Sequence, residues 1–258
     1  MTTRRQNAAR GGGRDRTDRI GLRRQGLAAA VGLAALLVLS ACGSNPPQPD
    51  WQANARTGMD RALAAYLVGN SRIETLEFAT ARAEVARTGR PALLARVELV
   101  RCAGRVASLV LEPCAGFDAL AQDAEPAERV YADFIAGRIA PDAATRLPEQ
   151  HRALAAAGAT PASDLATLRR MTDPLARLVG AAVSLQLGRA DPGVVALAVE
   201  TASAQGWRRP LLAWLQVQSR QALDAGDVAG ADRIKRRIEL VQGVPVVRAV
   251  RDAGASAA

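Results

Sequence analysis

The sequence predicts an all-α protein, an irregular stack of antiparallel helical hairpins (α-solenoid-like or a helical bundle) with about ten helices. Three observations carry this. Alanine and leucine dominate a chain that is 49% hydrophobic but only 3% aromatic, a balance that favours helix over sheet. Apolar residues recur three and four positions apart, which places them on one helix face. Glycine followed by a polar residue closes stretch after stretch, and proline or a capping residue opens the next.

Trp51 to Val68 forms the first helix, with Met59, Ala62, Leu63, Tyr66 and Leu67 on one stripe. Gly69-Asn70 ends it. Ser71-Arg72-Ile73-Glu74 is a capping-box pattern opening the second helix, whose predicted face is Ile73, Leu76, Thr80 and Ala83. Gly89 stops that helix, and Pro91 opens a third running to about Val110 through Leu93, Leu94, Val97, Val100, Val106 and Leu109. Gly104 weakens its middle, and Glu112-Pro113 ends it. Short helices follow at Cys114–Gln122, at Pro126–Gly137 (Val130, Tyr131, Phe134, Ile135) and within Pro141–Gly158, which Pro148 breaks. Pro161–Thr172 and Pro174–Leu187 are two more, the latter with Leu175, Leu178, Val179 and Ala182. Asp191-Pro192 caps a helix ending at Gly206. Pro210–Ala225 and Asp227–Gln242 close the body, and Val244–Ala258, without a stripe, reads as a flexible tail.

The glycines at 69, 137, 188 and 226 each end an apolar helix and suit a left-handed exit. They stand 68, 51 and 38 residues apart, so no fixed repeat period exists. Gly226-Asp227-Val228-Ala229-Gly230-Ala231 resembles the mid-repeat turn of tetratricopeptide repeats, where small residues let two helices close. The resemblance covers one hairpin, about Pro210 to Gln242.

The first forty-five residues read differently. Eight arginines (4, 5, 10, 14, 16, 19, 23, 24) precede an apolar run from Gly26 to Leu39, opposed only by Asp15 and Asp18. A cationic head, a short apolar middle and small residues at the end compose a secretory signal. The run is shorter than the roughly 20 residues that span a bilayer. Leu39-Ser40-Ala41-Cys42 resembles the lipobox of bacterial lipoproteins. That resemblance implies cleavage before Cys42, residues 1–41 leaving as signal peptide, and acylation of the Cys42 sulfur and new amino group. Several acyl chains on one residue anchor far more firmly than one. Gly43-Ser44 after the cysteine, rather than aspartate, implies by the same resemblance the periplasmic face of an outer membrane. Residues 42–50 make the lipid anchor and tether, whose three prolines are expected to hold Gly43 to Asp50 extended over roughly 25 Å. Arg23-Arg24-Gln25-Gly26-Leu27 also resembles a twin-arginine export signal, departing from it at Gly26.

Net charge is +9, but the leader holds 8 basic and 2 acidic residues, so the remainder carries 26 basic against 23 acidic, or +3. Most of the basic signal leaves with the leader. With few aromatics for base stacking, nucleic acid is not an expected partner. Residues 51–243 suffice for one sizeable core.

Cys102 and Cys114 remain after Cys42, and two cysteines in an oxidising compartment are expected to pair. If the third helix reaches Val110, its end lies about 12 Å beyond Cys102, whereas bridged Cα atoms lie within about 7 Å. The chain must therefore double back after the helix, or the helix must break at Gly104. His151, the only histidine, sits in a polar helix start and is expected on the surface, without a nucleophile to activate. The densest basic clusters of the body, Arg208-Arg209 and Arg233, Lys235, Arg236 and Arg237, are candidates for an acidic partner or lipid phosphate. Asp224, Asp227, Asp232 and Glu239 lie close by and offset them. Trp207 and Trp214 share a face if the helix runs through Pro210, and are expected in the core.

Together these observations predict a lipid-anchored envelope protein without metal or cofactor beyond the Cys42 lipid. Its expected role is non-catalytic, offering a helical surface to an envelope partner. The rivals are an envelope hydrolase of cell-wall or lipid substrates, built on converging carboxylates or His151, and a carrier of apolar ligands between helices.

Overall fold

In this computed structural model the described residues are 49–138, 140–156 and 159–243. The leader, Cys42, most of the tether and the tail at 244–258 lie outside them. The chain divides at Gln48 and Pro49 into two units, and the described residues belong to the second.

Those residues form helices and no strand. They are α1 (Asp50–Val68), α2 (Ser71–Ala86), α3 (Pro91–Ala107), α4 (Ala115–Asp118) and α5 (Pro126–Ile135). A 3-10 turn (Pro141–Arg146) leads to α6 (Glu149–Ala155), α7 (Pro161–Arg170) and α8 (Pro174–Gln186). Last come α9 (Pro192–Ala204), α10 (Arg208–Asp224) and α11 (Val228–Gln242). Proline stands in the first turn of α3, α5, α7, α8 and α9, where its missing N–H leaves nothing unpaired. Pro210 sits in the first turn of α10, so it starts that helix without interrupting it. Glycine exits with positive φ at 69, 137, 188 and 226 follow the predicted pattern.

α8 is the axis of the body. It packs against α3, α5, α6, α7 and α9, and Leu178 to Ser184 is buried without a break. Gly180 makes the approach possible: a Cβ there would stand 2.7 Å from Leu154 and 2.8 Å from Leu168. The α1–α2 hairpin folds onto α3 around Ala55, Ala62, Phe78, Val85 and Val97. The α10–α11 hairpin follows α9, and Trp214, fully buried, donates its indole N–H to the carbonyl of Ala107 at 3.1 Å. Trp207 is only half-buried, at the cap of α10.

Four expectations are corrected. The stripe Ile73, Leu76, Thr80, Ala83 faces solvent, with Leu76 62% exposed; α2 instead buries Glu74, Phe78, Ala81 and Val85. The inner face contains a glutamate, which hydropathy spacing rejects, yet Glu74 is ion-paired with Arg101 at 2.8 Å while that guanidinium lies 4.2 Å over Phe78. The N-cap of α2 is Asn70, whose side chain accepts from the Ile73 amide at 3.2 Å, and Ser71 is already helical. Helix α3 ends at Ala107, not Val110. His151 is 1% exposed and not on the surface.

The end of α3 explains how the cysteines meet. Leu109 takes φ 57°, the left-handed conformation that elsewhere in the described residues falls to glycine. The Val110 amide reaches back to the Arg105 carbonyl and the Leu109 amide to that of Val106, a Schellman exit. The chain reverses there, and Cys102 and Cys114 form a disulfide with Cα atoms 6.0 Å apart. Gly104 remains helical.

Candidate binding groove

A largely apolar groove of about 480 Å³ opens among the described residues. Arg96, Leu99, Val100 and Ala103 of α3 form one side, and Ala127, Glu128 and Tyr131 of α5 another. Arg146, Leu147 and Pro148, which join the 3-10 turn to α6, and Leu175 of α8 complete it. Leu99 and Leu147 are buried, whereas Val100 is 38% exposed.

Charge sits at the edge of this groove. Glu128 is 8% exposed and doubly held: Arg96 donates to Oε1 at 2.5 Å, and the Glu125 amide donates to Oε2 at 3.0 Å. The latter is half of the capping box that starts α5. Arg146 is exposed and has no ion-pair partner among the described residues.

Behind Tyr131 lies a stack of rings. His151 stands 5.8 Å from Tyr131 and 4.9 Å from Phe134, centroid to centroid. Its Nε2 is 3.0 Å from the Ala176 carbonyl. A carbonyl only accepts, so Nε2 carries the proton, and the buried Nδ1 has no partner among the described residues. Burial pushes the His151 pKa down from 6.5, against a smaller opposite pull from that carbonyl and from Asp173. Burial, then Asp173, holds the Tyr131 phenol well above its ordinary range. Asp173 itself caps α8 through the amides of Leu175 and Ala176.

Two other polar assemblies are structural in geometry. A pocket of about 440 Å³ beside the disulfide is lined by Glu98, Arg101, Arg105, Glu112 and Arg138 among others. Most of its charges pair off: Glu98 with Arg82, Arg101 with Glu74, Arg105 with Glu112, Arg138 with Asp133; Asp118, also in the lining, is exposed and has no ion pair among the described residues. Deep between α7 and α8, Asp164 accepts from Ser184 and Arg189, each at 2.8 Å, and Arg189 also donates to the Leu154 carbonyl. Asp164 and Ser184 are 1% and 0% exposed, so no substrate reaches that hydroxyl. His151 bonds to neither. The described residues hold no group of three or more His, Cys, Asp or Glu side chains placed for a metal ion.

The basic residues singled out in the sequence do not act as one patch. Arg209 turns inward, over the Tyr66 ring at 4.2 Å, donating to the Tyr66 carbonyl and the Ser71 hydroxyl at 2.9 Å each. Arg208 donates to the Gln242 carbonyl at the end of α11, and Arg233 approaches Asp227 at 3.9 Å. Lys235, Arg236 and Arg237 are exposed on α11.

Sequence reasoning did not single out the groove. Its one signal was an excess on α3: Leu99 and Val100 are adjacent, and a single helical stripe does not bury both. No helix among the described residues is long and apolar enough to cross a membrane. No family model, curated protein or solved structure matches the chain.

Proposed function

We propose that this chain is a lipid-anchored accessory protein of a bacterial envelope, held by acylated Cys42 on the periplasmic face of the outer membrane. In this reading it works by binding rather than by catalysis. The groove between α3 and α5 is its working surface, and the rest of the body holds that surface in shape. The supporting observation is the groove itself: Val100, Ala127 and Pro148 stand open to solvent around buried Leu99 and Leu147, a concave and largely apolar lining of the kind found at sites that bind. The groove supplies mainly apolar contact area, and its one carboxylate, Glu128, is already held by Arg96 and by the Glu125 amide. The leader supports the address, since basic head, apolar run, lipobox and proline-rich tether follow in order.

Two measurements test the two halves. The Cys42→Ser chain is fractionated beside the native one; the variant is expected in the soluble fraction, and sedimentation with membranes refutes the anchor. A photo-crosslinking residue replaces Val100 in the acylated protein, with Leu240 (67% exposed, on α11) as control. A discrete adduct at 100 and none at 240 is expected. Equal labelling at both sites refutes the groove as the working surface.

A further inference from the structure

The geometry points to a single-chain anionic amphiphile, a long-chain carboxylate or monoalkyl phosphate, as the occupant of the α3–α5 groove. This rests on the groove being the binding surface and names what it takes. Size argues first. Eleven residues line the groove, whose volume is about 480 Å³. A standard protein interface uses about 20–30 residues a side, whereas small-molecule sites occupy about 300–1,000 Å³. The groove is the size of a ligand chain, not of a folded partner.

Chemistry argues next. Eight of the eleven lining residues are apolar or aromatic, and the other three are Arg96, Arg146 and Glu128. Both Glu128 oxygens already accept, one from Arg96 and one from the Glu125 amide. That pairing neutralises one cation and leaves Arg146. It borders Leu147 and Pro148, so a head group beside Arg146 leaves its chain against Leu147, Leu99 and Val100. An anion there gains a guanidinium with a fork of donors. A cationic head in the same pose meets like charge.

The test uses the full chain carrying Cys42→Ser, so that no covalent acyl group competes. Displacement of a fluorescent fatty acid is titrated with laurate, dodecyl phosphate and dodecyltrimethylammonium, all with twelve-carbon chains. Laurate or dodecyl phosphate is expected to displace at least tenfold better than the cation. Whichever anion is tighter identifies the head group as carboxylate or phosphate monoester. Arg146→Glu, at an exposed position, should weaken the better anion by roughly fivefold, the scale of reversing one exposed charge contact. Val100→Asp should abolish displacement, because it places a charge among the apolar contacts. Far-ultraviolet circular dichroism and the thermal midpoint establish that both variants fold. No displacement by any probe, equal affinity for anion and cation, or an Arg146→Glu chain that binds as well as its parent overturns the proposal. If the amphiphiles fail while position 100 still crosslinks specifically in the acylated protein, the occupant is wrong and the working surface stands.

Discussion

Reducing the Cys102–Cys114 bridge should destabilise the body by about 3 kcal/mol. The bridge closes a loop of thirteen residues, from a sequence separation of 12. In the chain-entropy account, the unfolded-state constraint for such a loop amounts to ~10 cal/mol/K, or ~3 kcal/mol at 25 °C. A second contribution opposes it. Leu109 is held left-handed at φ 57°, which costs a residue with a Cβ roughly 1–2 kcal/mol. Once the bridge opens, part of that strain relaxes if the loop swings away. The exit hydrogen bonds from the Val110 and Leu109 amides and the packing of Leu109 against the core oppose the swing, so most of the loss survives. The assay is urea unfolding of the oxidised chain, the reduced chain and a Cys102→Ala/Cys114→Ala variant, followed by circular dichroism. The reduced and variant chains should coincide, with midpoints below that of the oxidised chain. A steeper denaturant slope should accompany the lower midpoint, because the uncrosslinked unfolded chain exposes more surface. Unfolding free energies within about 0.5 kcal/mol of each other would show that the bridge is ornamental and the loop is fixed by its native contacts alone. Free-thiol counting comes first: two reactive thiols in the unreduced protein refute the premise.

Two further perturbations probe the interior. His151 is buried with a depressed pKa, so below 6.5 the unfolded chain takes up a proton that the folded chain resists. Stability from this residue is therefore complete above pH 6.5 and declines as pH falls towards its folded pKa, by at most about 1.4 kcal/mol per pH unit. Tyr131 of α5 stacks on it, Phe134 lies tilted against it, and Asp173 at the start of α8 acts on its charge. Because carboxylates elsewhere also titrate, the quantity to read is the difference between the native chain and His151→Phe at pH 7.5 and pH 5. The native chain should lose more on acidification, and parallel losses would refute the assignment. Trp214→Phe should cost about 2–3 kcal/mol in urea unfolding, part from the smaller ring and part from the Ala107 carbonyl left unpaired in the core. A loss under 0.5 kcal/mol would mean that α3 and α10 are not joined there.

Much of the fold was legible because its helix boundaries are chemical. Pro91, Pro126, Pro161, Pro174 and Pro192 each fall in the first turn of a helix, and the glycines end helices by taking positive φ. Faces were less legible. On α2 the rule that apolar residues point inward selects Ile73 and Leu76, both exposed. It fails because Arg101 and Arg82, from α3 and from α2 itself, neutralise Glu74 and Glu98 at the helix contacts. Two paired glutamates thereby enter positions that a hydropathy count gives to leucine. His151 was misplaced for a related reason. Its neighbours Glu149, Gln150 and Arg152 are exposed, so local polarity described the segment correctly while one ring turned inward onto Tyr131 and Phe134. The groove could not be read at all, since it joins residue 96 to residue 175 and only the tertiary fold brings them together.

The arginines show most plainly why composition alone misleads here. A helix leaves its last four carbonyls without internal partners, and a body of short helices has many such ends to satisfy. Long donors from elsewhere in the fold do this repeatedly. Arg209 serves the end of α1, Trp214 of α3, Gln186 of α5, Arg189 of α6 and Arg177 of α7. A guanidinium suits the task because it offers five donors and no acceptor and keeps its charge when half-buried. With aromatics at only 3%, few rings are present to lock helices by shape, and carbonyl-directed arginines supply part of the specificity instead. It follows that an arginine in this body indicates a partner only after its internal bonds are accounted for. By that criterion Arg209, prominent in the sequence, drops out, while Arg146, inconspicuous in the sequence, stands without an ion-pair partner among the described residues, beside a largely apolar groove.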